Sequence, residues 1–152
     1  KLYATDNNTI KVFDIADPLN IAELSPINIT ANALSLAYSQ SNLYIASSTG
    51  LLVYNTDTKK IITISSYYFQ ENGNIDSRGT LSLTSLSIYD GFLYASNINS
   101  VFKFNILNLE TPILEEKISG SHLKKHIIND NILYGCNSSN LGVISLNKSR
   151  DV

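Results

Sequence analysis

Two histidines four residues apart have a spacing that could bind a metal ion in this chain of 152 residues. On a helix, His122 and His126 would face the same way, as zinc-binding pairs do. They lie instead at the start of an expected strand, and metal binding needs at least a third donor, which the sequence does not indicate. We therefore predict no metal site, and we expect His126 to be partly buried and hydrogen-bonded.

The single cysteine, Cys136, cannot form a disulfide within the chain. It is expected inside a strand among apolar side chains, where burial raises the pKa of a thiol and lowers its reactivity. Asp6, Asp14, Asp17 and Asp57 fall in turns, where a carboxylate accepts hydrogen bonds from its own backbone. The sequence has no phosphate-binding glycine loop, nucleophile elbow or metalloprotease helix motif, and we predict no catalytic residue and no cofactor.

A polar insertion between positions 69 and 81 carries charges suited to binding a partner, namely Glu71, Asp76 and Arg78. Insertions in repeat proteins map to loops on one face, which is often the binding face. His122 and Lys124 lie in the corresponding later connection, so all five side chains are expected on one side of the molecule. They are the predicted binding-face residues, although a merely tolerated surface insertion is the alternative.

Four copies of a short-strand repeat must position these residues. A Leu-Tyr pair ends at Tyr3, Tyr44, Tyr94 and Tyr134, so the spacings are 41, 50 and 40 residues. Ten positions after each tyrosine lies a large apolar residue, and a short polar residue follows it. A period near 40 with four short strands in each copy is that of a β-propeller blade.

Residues 86–118 contain one complete copy. Alternating apolar positions on either side of Asp90-Gly91 predict two strands joined by a tight hairpin, because both turn residues tolerate a positive φ. Two later runs rich in β-branched and aromatic residues predict a third and a fourth strand. The recurring tyrosines are expected to pack between neighbouring blades. The hairpin positions in two other copies are Gln40-Ser41 and Asp130-Asn131.

The predicted fold class is all-β, a β-propeller of four-stranded antiparallel blades in a single domain, residues 1–152. The repeats cover approximately residues 1–29, 30–80, 81–120 and 121–152. The first copy lacks its innermost strand and the last lacks its outermost strand, which leaves 14 strands. We therefore expect a segment of a larger propeller, chains that complete a ring together, or a compact open or four-bladed form.

Composition restricts the class of partner. Hydrophobic residues make up 43% of the chain and charged residues only 16%, as in a globular protein. A formal net charge of −2 disfavours nucleic acid, whose phosphates attract basic surfaces. No apolar run approaches the roughly 18 residues of a membrane span. The chain shows no signal-peptide pattern and no methionine, so it is expected to begin after its native first residue.

Two stretches resemble the LVIVD repeat of bacterial and archaeal propellers, which are WD40-like. IKVFDIADPLNIAEL at residues 10–24 and VFKFNILNLETPIL at residues 101–114 have its apolar strand followed by an acidic or amide residue. Asp17-Pro18 supplies the first half of its turn in one copy, and Thr111-Pro112 the second half in the other. The resemblance implies a propeller, often on secreted or surface-exposed proteins, and hence an extracytoplasmic location in the periplasm or at the cell surface.

The predicted function is a non-enzymatic binding or scaffolding module that holds a protein partner through loops on one face. The alternative is a hydrolase or lyase with an active site in the axial channel, using His126 and a carboxylate. A purely structural repeat that positions other domains is a further possibility. The open ring also makes self-association, or completion of the ring by missing blades, a possible mode of interaction.

Overall fold

A computed structural model of the chain describes residues 1–64, 82–107, 111–119 and 123–146, and these residues form strands and turns without a helix. Short β-branched and aromatic runs separated by polar turn residues account for this all-β architecture. The 14 strands of the described residues are β1 (Leu2–Asp6), β2 (Thr9–Asp14), β3 (Ala22–Asn28), β4 (Ala33–Ser39), β5 (Asn42–Ser47), β6 (Gly50–Asn55), β7 (Ile61–Ile64), β8 (Ser85–Tyr89), β9 (Phe92–Ser96), β10 (Ser100–Asn105), β11 (Ile113–Ser119), β12 (Lys125–Asn129), β13 (Ile132–Cys136) and β14 (Leu141–Ser145).

The strands form four antiparallel sheets, in each of which consecutive strands are neighbours. The first sheet contains β1 to β3, the second β4 to β7, the third β8 to β11 and the fourth β12 to β14. The two sheets in the middle of the chain are therefore complete, and those at its two ends have three strands each. This arrangement confirms the predicted propeller blades, and the ring of sheets is not closed.

Two-residue hairpins join the first two strands of the second, third and fourth sheets. Both central residues have a positive φ in each hairpin: 48° and 65° at Gln40-Ser41, 49° and 77° at Asp90-Gly91, and 47° and 65° at Asp130-Asn131. Two positive φ angles define a type I′ turn, whose twist matches that of the flanking strands. The three predicted hairpins are thus confirmed.

Short polar side chains begin the turns that follow β2, β6 and β10. Asp14, Asn55 and Asn105 each accept a hydrogen bond at 3.0 Å from the backbone N–H two residues later. Asp17 makes the same contact with Leu19, also at 3.0 Å. A side chain that mimics a backbone turn in this way ends a strand at a defined residue. The structural role predicted for Asp14 and Asp17 is confirmed.

The outer strand of the first sheet contains a proline. Strand β3 passes through Pro26 and continues to Asn28. Pro26 fits there because β3 is an edge strand, and because the register of β2 against β3 shifts between Ile10 and Val12. Proline, which has no N–H to donate, is tolerated at edges and bulges of this kind.

The core lies between consecutive sheets, in three apolar clusters. Tyr44 and Tyr94 are buried in two of them, which confirms that these repeat tyrosines pack between blades. Tyr3 is half-buried, whereas Tyr134 lies on an uncovered side of the fourth sheet. Burial of apolar surface at each sheet-to-sheet contact is the main force holding the blades together.

The prediction that Cys136 is buried is wrong, because its side chain is exposed. Its counterparts Ala46 and Ser96 are fully buried on the second and third sheets. Those two sheets are each covered by the next sheet, but no sheet among the described residues covers this side of the fourth. The repeat register therefore indicated the strand of Cys136 correctly, while its burial depends on a further sheet.

The connection into the fourth sheet is packed against two glycines. A Cβ atom built on Gly135 would lie 2.5 Å from Leu123 Cδ1, and one on Gly142 would lie 2.7 Å from Leu123 Cδ2. Leu123 is buried and fills the space that larger residues fill in the other sheets. A side chain at either position would therefore displace Leu123, and at Gly135 it would also lie 3.0 Å from the carbonyl oxygen of Lys125.

Candidate functional site: two faces of the blade assembly

The connections between sheets lie on one face, which we call the connector face and define by residues 29–32, 82–84 and 123–124. Ile29 donates a backbone hydrogen bond to Asn8 in the β1–β2 turn at 2.9 Å, and Leu83 donates one to Ser47 near the β5–β6 turn at 3.0 Å. Antiparallel strands alternate in direction, so these turns share one end of the sheets. The opposite end, the hairpin face, holds the β4–β5, β8–β9 and β12–β13 hairpins.

Of the five predicted binding residues, Lys124 lies on the connector face. Its backbone N–H donates to the carbonyl oxygen of Cys136 at 2.9 Å, and its side chain is exposed. The other four residues, which were expected to lie beside it, are outside the described residues: Glu71, Asp76, Arg78 and His122. Their shared placement stays a prediction.

His126 is buried between the third and fourth sheets, at the position that leucine occupies in the two preceding copies. Its Nδ1 lies 3.0 Å from the hydroxyl oxygen of Ser96, so the predicted hydrogen-bonded core histidine is confirmed. Burial is the main cause that lowers the pKa of His126, to about 4. The Tyr94 backbone raises this pKa and the charge of Lys125 lowers it, both to a smaller extent. The imidazole is therefore neutral near pH 7.

Lys125 links the inner strands of three sheets. Its Nζ lies 3.0 Å from the carbonyl oxygen of Thr84 and 3.3 Å from that of Leu34, although it belongs to the fourth sheet. An ammonium group that donates to two carbonyls on neighbouring blades joins them at their inner edge. Lys125 was not among the residues predicted from the sequence. Alignment of the repeats could have identified it, because a lysine stands here where the second and third copies have a serine.

Those serines also join neighbouring sheets. Ser35 accepts a hydrogen bond from the backbone N–H of Leu86 at 3.1 Å, and Ser85 accepts one from that of His126 at 3.2 Å. Each hydroxyl thus satisfies a backbone donor of the next inner strand, which would otherwise be buried without a partner. The same contact repeats from blade to blade.

A cleft of about 540 Å³ opens between the first and second sheets. It lies toward the hairpin face, because Thr56 in its wall donates a backbone hydrogen bond to Ser41 in the β4–β5 hairpin at 2.7 Å. This cleft is formed by parts of two sheets and not by a sequence motif, so no pattern in the sequence predicts it. Its lining consists of Lys1, Tyr3, Val12, Leu24, Ser25, Pro26, Ile27, Asn28, Tyr54, Thr56, Lys59 and Ile61.

Aromatic and apolar side chains dominate the cleft, and two lysines supply its charge. Tyr3 stacks on Tyr38 with 5.8 Å between ring centroids and 23° between ring planes. Burial raises the pKa of Tyr3, and the nearby Tyr38 and Tyr54 rings raise it further. The phenol therefore stays protonated near pH 7 and can donate a hydrogen bond. Lys1 and Lys59 add positive charge to this surface.

Among the described ranges, no group of three or more histidine, cysteine or acidic side chains is placed to hold a metal ion. A search of the same ranges for a long apolar helix that could cross a membrane also finds none. The site features that the structure does show are therefore the inner-edge lysine, the buried histidine and the cleft.

The class of fold is a β-propeller with an open ring. Its arrangement is similar to that of several solved structures, of which the computationally designed protein Ika4 has a TM-score of 0.64 at 14% identity. That match covers 97% of this chain and 87% of Ika4. Saccharomyces cerevisiae Sqt1 has a TM-score of 0.67 at 16% identity over 93% of this chain and 39% of Sqt1.

A third similar structure is a chain from the S. cerevisiae complex of Dbp5 bound to Nup159, Gle1, IP6 and ADP. Its TM-score is 0.57 at 12% identity, over 94% of this chain and 41% of that one. This chain thus spans about two fifths of the length of two of the three structures. No protein-family model matches it. No curated protein matches it either.

Proposed function

We propose that the chain is a non-enzymatic binding and scaffolding module whose partner is a protein. The observation that carries this proposal is the cleft between the first and second sheets, which is lined by tyrosines, other apolar side chains and two lysines. Tyrosine is enriched in protein interfaces because it offers a large, rigid apolar ring with a polar tip. A concave surface of this chemistry is better suited to binding a short protein segment than to binding the flat surface of a folded partner.

The cleft also suggests the character of the bound segment. Tyr3, Leu24 and Ile61 would contact apolar side chains, while Lys1 and Lys59 favour an acidic residue at the margin. An extended peptide that combines an apolar anchor with a carboxylate fits both features. The Dbp5 complex, which contains Nup159 and Gle1, supports this kind of function in a protein of similar fold.

A peptide-display experiment tests the cleft. The chain is immobilised and used to select from a random peptide library, and each selected peptide is then measured against Ser25→Trp, which fills the cleft from an exposed position of β3. Wild-type chain should select peptides that lose binding to Ser25→Trp and keep it with the control Ser138→Trp, in the exposed β13–β14 turn. Failure to select any peptide, or equal binding to both variants, would refute a cleft-bound partner.

The connector face is the other location proposed for the partner, and a second variant separates the two. Asp76→Ala combined with Arg78→Ala should leave the melting temperature nearly unchanged and abolish capture if the predicted loop binds the partner. Loss with this variant and full binding to Ser25→Trp would move the site to the connector face. The reverse result would assign it to the cleft.

We also propose that the module belongs with the LVIVD-like propellers and acts outside the cytoplasm. The two LVIVD-like stretches support this, because that repeat is often found in secreted or surface-exposed proteins. Fractionation of the native organism with an antibody against the chain tests the location. Recovery in the cytoplasmic fraction alone would contradict it.

A further inference from the structure

The three apolar clusters share one packing relationship between consecutive sheets. The residue seven positions after the repeat tyrosine lies in the same cluster as the leucine that precedes the tyrosine of the next sheet. The three pairs are Ile10 with Leu43, Leu51 with Leu93, and Val101 with Leu133. All six side chains are at most 1% exposed. The relationship is directional, because one side of each sheet meets the opposite side of the next.

At each end of the series of sheets, one residue of such a pair has no partner in this packing relationship among the described residues. Leu141 occupies the seventh position after the tyrosine of the fourth sheet, and it is 76% exposed. Leu2 precedes the tyrosine of the first sheet, and it is 51% exposed. The residues at these two positions are buried in every other copy of the repeat. Leu141 and Leu2 are exposed because no sheet among the described residues packs against them.

The uncovered side of the fourth sheet carries a group of exposed apolar side chains and Cys136, with Lys125 beside Cys136, and we call this side the open face. Tyr134 is the direct cross-strand partner of both Ile127 and Val143, and Cys136 is the partner of Leu141. These five side chains are all exposed and project to the same side, because residues directly opposite one another share a face. Exposed apolar side chains grouped in this way mark an interaction site in a soluble protein.

The uncovered side of the first sheet has the complementary residues. Leu2 is the cross-strand partner of Phe13, and Ala4 is the partner of Lys11. A leucine paired with an aromatic residue is the surface that the third sheet presents at Leu93 and Phe104, both of which are fully buried under the second sheet. At the Leu2–Phe13 pair the first sheet therefore presents the same residue types that the third sheet presents to the second, although Lys11 stands where the third sheet has Phe102.

We propose that the open face binds the first sheet of a second copy of this chain, so that two copies complete one ring. The contact would place Leu141 against Leu2 of the other copy, as Leu51 lies with Leu93 within the chain. The open face contributes β13 and β14 to this contact, and the first sheet contributes β1 and β2. The contact therefore forms between sheets of three strands each.

The arrangement of the sheets favours a second copy as the occupant. The chain itself holds both halves of the contact, one on its first sheet and one on its fourth. A directional contact between copies forms a ring when its rotation closes.

Light scattering coupled to size-exclusion chromatography, together with thiol reactivity, tests the proposal. Cys136 is the sole cysteine and lies on the open face, so its reaction with a chromogenic disulfide reports whether that face is covered. We expect a mass of two chains with a slowly reacting thiol at high concentration. Dilution should give a mass of one chain and a fast thiol.

Charged substitutions at the two leucines identify the surfaces in contact. Leu141→Glu and Leu2→Glu should each give one-chain masses and a fast Cys136. In dilute solution, where wild type is also a single chain, their melting temperatures should match that of wild type because both side chains are exposed there. Mixing the two variants should restore a two-chain mass through one of the two contacts of the ring, because the intact open face of Leu2→Glu meets the intact first sheet of Leu141→Glu. The control Leu19→Glu, at an almost wholly exposed turn residue, should behave as wild type.

Several outcomes would overturn the proposal. A one-chain mass with a fast thiol at every concentration would leave the open face without a second copy. A second outcome is a one-chain mass with a slowly reacting thiol that becomes fast in Leu2→Glu. This would show that the open face is covered by the first sheet of the same chain. A two-chain mass that survives Leu2→Glu would mean that two open faces bind each other.

Discussion

The Nδ1 atom of His126 lies 3.0 Å from the hydroxyl oxygen of Ser96, in the buried space between the third and fourth sheets. The two residues are 30 positions apart in the chain, so this hydrogen bond forms only when the two blades are packed. The protonation state of His126 is therefore coupled to blade packing.

The first prediction is that stability decreases as the pH falls from about 6.5 to about 4. The pKa of His126 is about 4 in the folded chain. In the unfolded chain the pKa of a histidine is near 6.5, so between pH 6.5 and pH 4 only the unfolded state binds the proton. The free energy of unfolding therefore falls by an amount on the order of 3 kcal/mol over this interval. Urea unfolding between pH 5 and 7 measures the effect.

His126→Leu is the matched variant, because leucine occupies this position in the second and third copies. Its free energy of unfolding should depend less steeply on pH than that of wild type, whatever its absolute value. Equal slopes for the two proteins would show that His126 does not titrate between the folded and unfolded states as described.

The second prediction concerns the lysine at the inner edge of the sheets. Lys125→Gln should raise the pKa of His126, because the lysine charge is one of the causes that lowers it. The value should stay below 6.5, since burial is the larger cause and is unaffected. Proton NMR of the imidazole across a pH titration measures this directly. Lys124→Gln is the control and should leave the value unchanged; equal shifts in both variants would argue against a specific effect.

The third prediction tests the serine contact between blades. Ser85→Ala should reduce the free energy of unfolding by about 1–3 kcal/mol, because the buried backbone N–H of His126 loses its acceptor. Chemical denaturation supplies the measurement. Ser138→Ala, in an exposed turn, should change stability by less than about 0.5 kcal/mol. A Ser85→Ala chain as stable as this control would mean that water replaces the hydroxyl.

The fourth prediction concerns the glycine beneath Leu123. Gly135→Ala should destabilise the chain by about 1–3 kcal/mol through overpacking. The new Cβ would lie 2.5 Å from Leu123 Cδ1 and 3.0 Å from the carbonyl oxygen of Lys125. Thermal and urea unfolding of Gly135→Ala, Leu123→Ala and the double variant measure the coupling. The glycine substitution should cost less when Leu123 is already alanine, and an equal cost in both backgrounds would exclude the clash.

Much of the fold follows from local rules that act over a few residues. Asp90-Gly91 and its counterparts form hairpins because their backbones accept positive φ, and Asn105 ends a strand by bonding its own backbone. These contacts are complete within one blade, so the repeat register indicated the strands and their turns without knowledge of neighbouring sheets. Pro26 marks the limit of these local rules, because its place inside β3 depends on that strand being at the edge of its sheet.

The candidate sites were harder to foresee, because they arise from residues far apart in the chain. Lys125 reaches the carbonyl of Leu34 across 91 positions, and the cleft is formed by parts of two sheets. Cys136 shows the same limit, since its strand was correctly inferred while its exposure depends on whether another sheet covers it. The sequence by itself thus determined the alternation of strands and turns, through short-range backbone preferences. Tertiary structure alone decided which side chains are covered, because burial depends on the sheet that packs against each face.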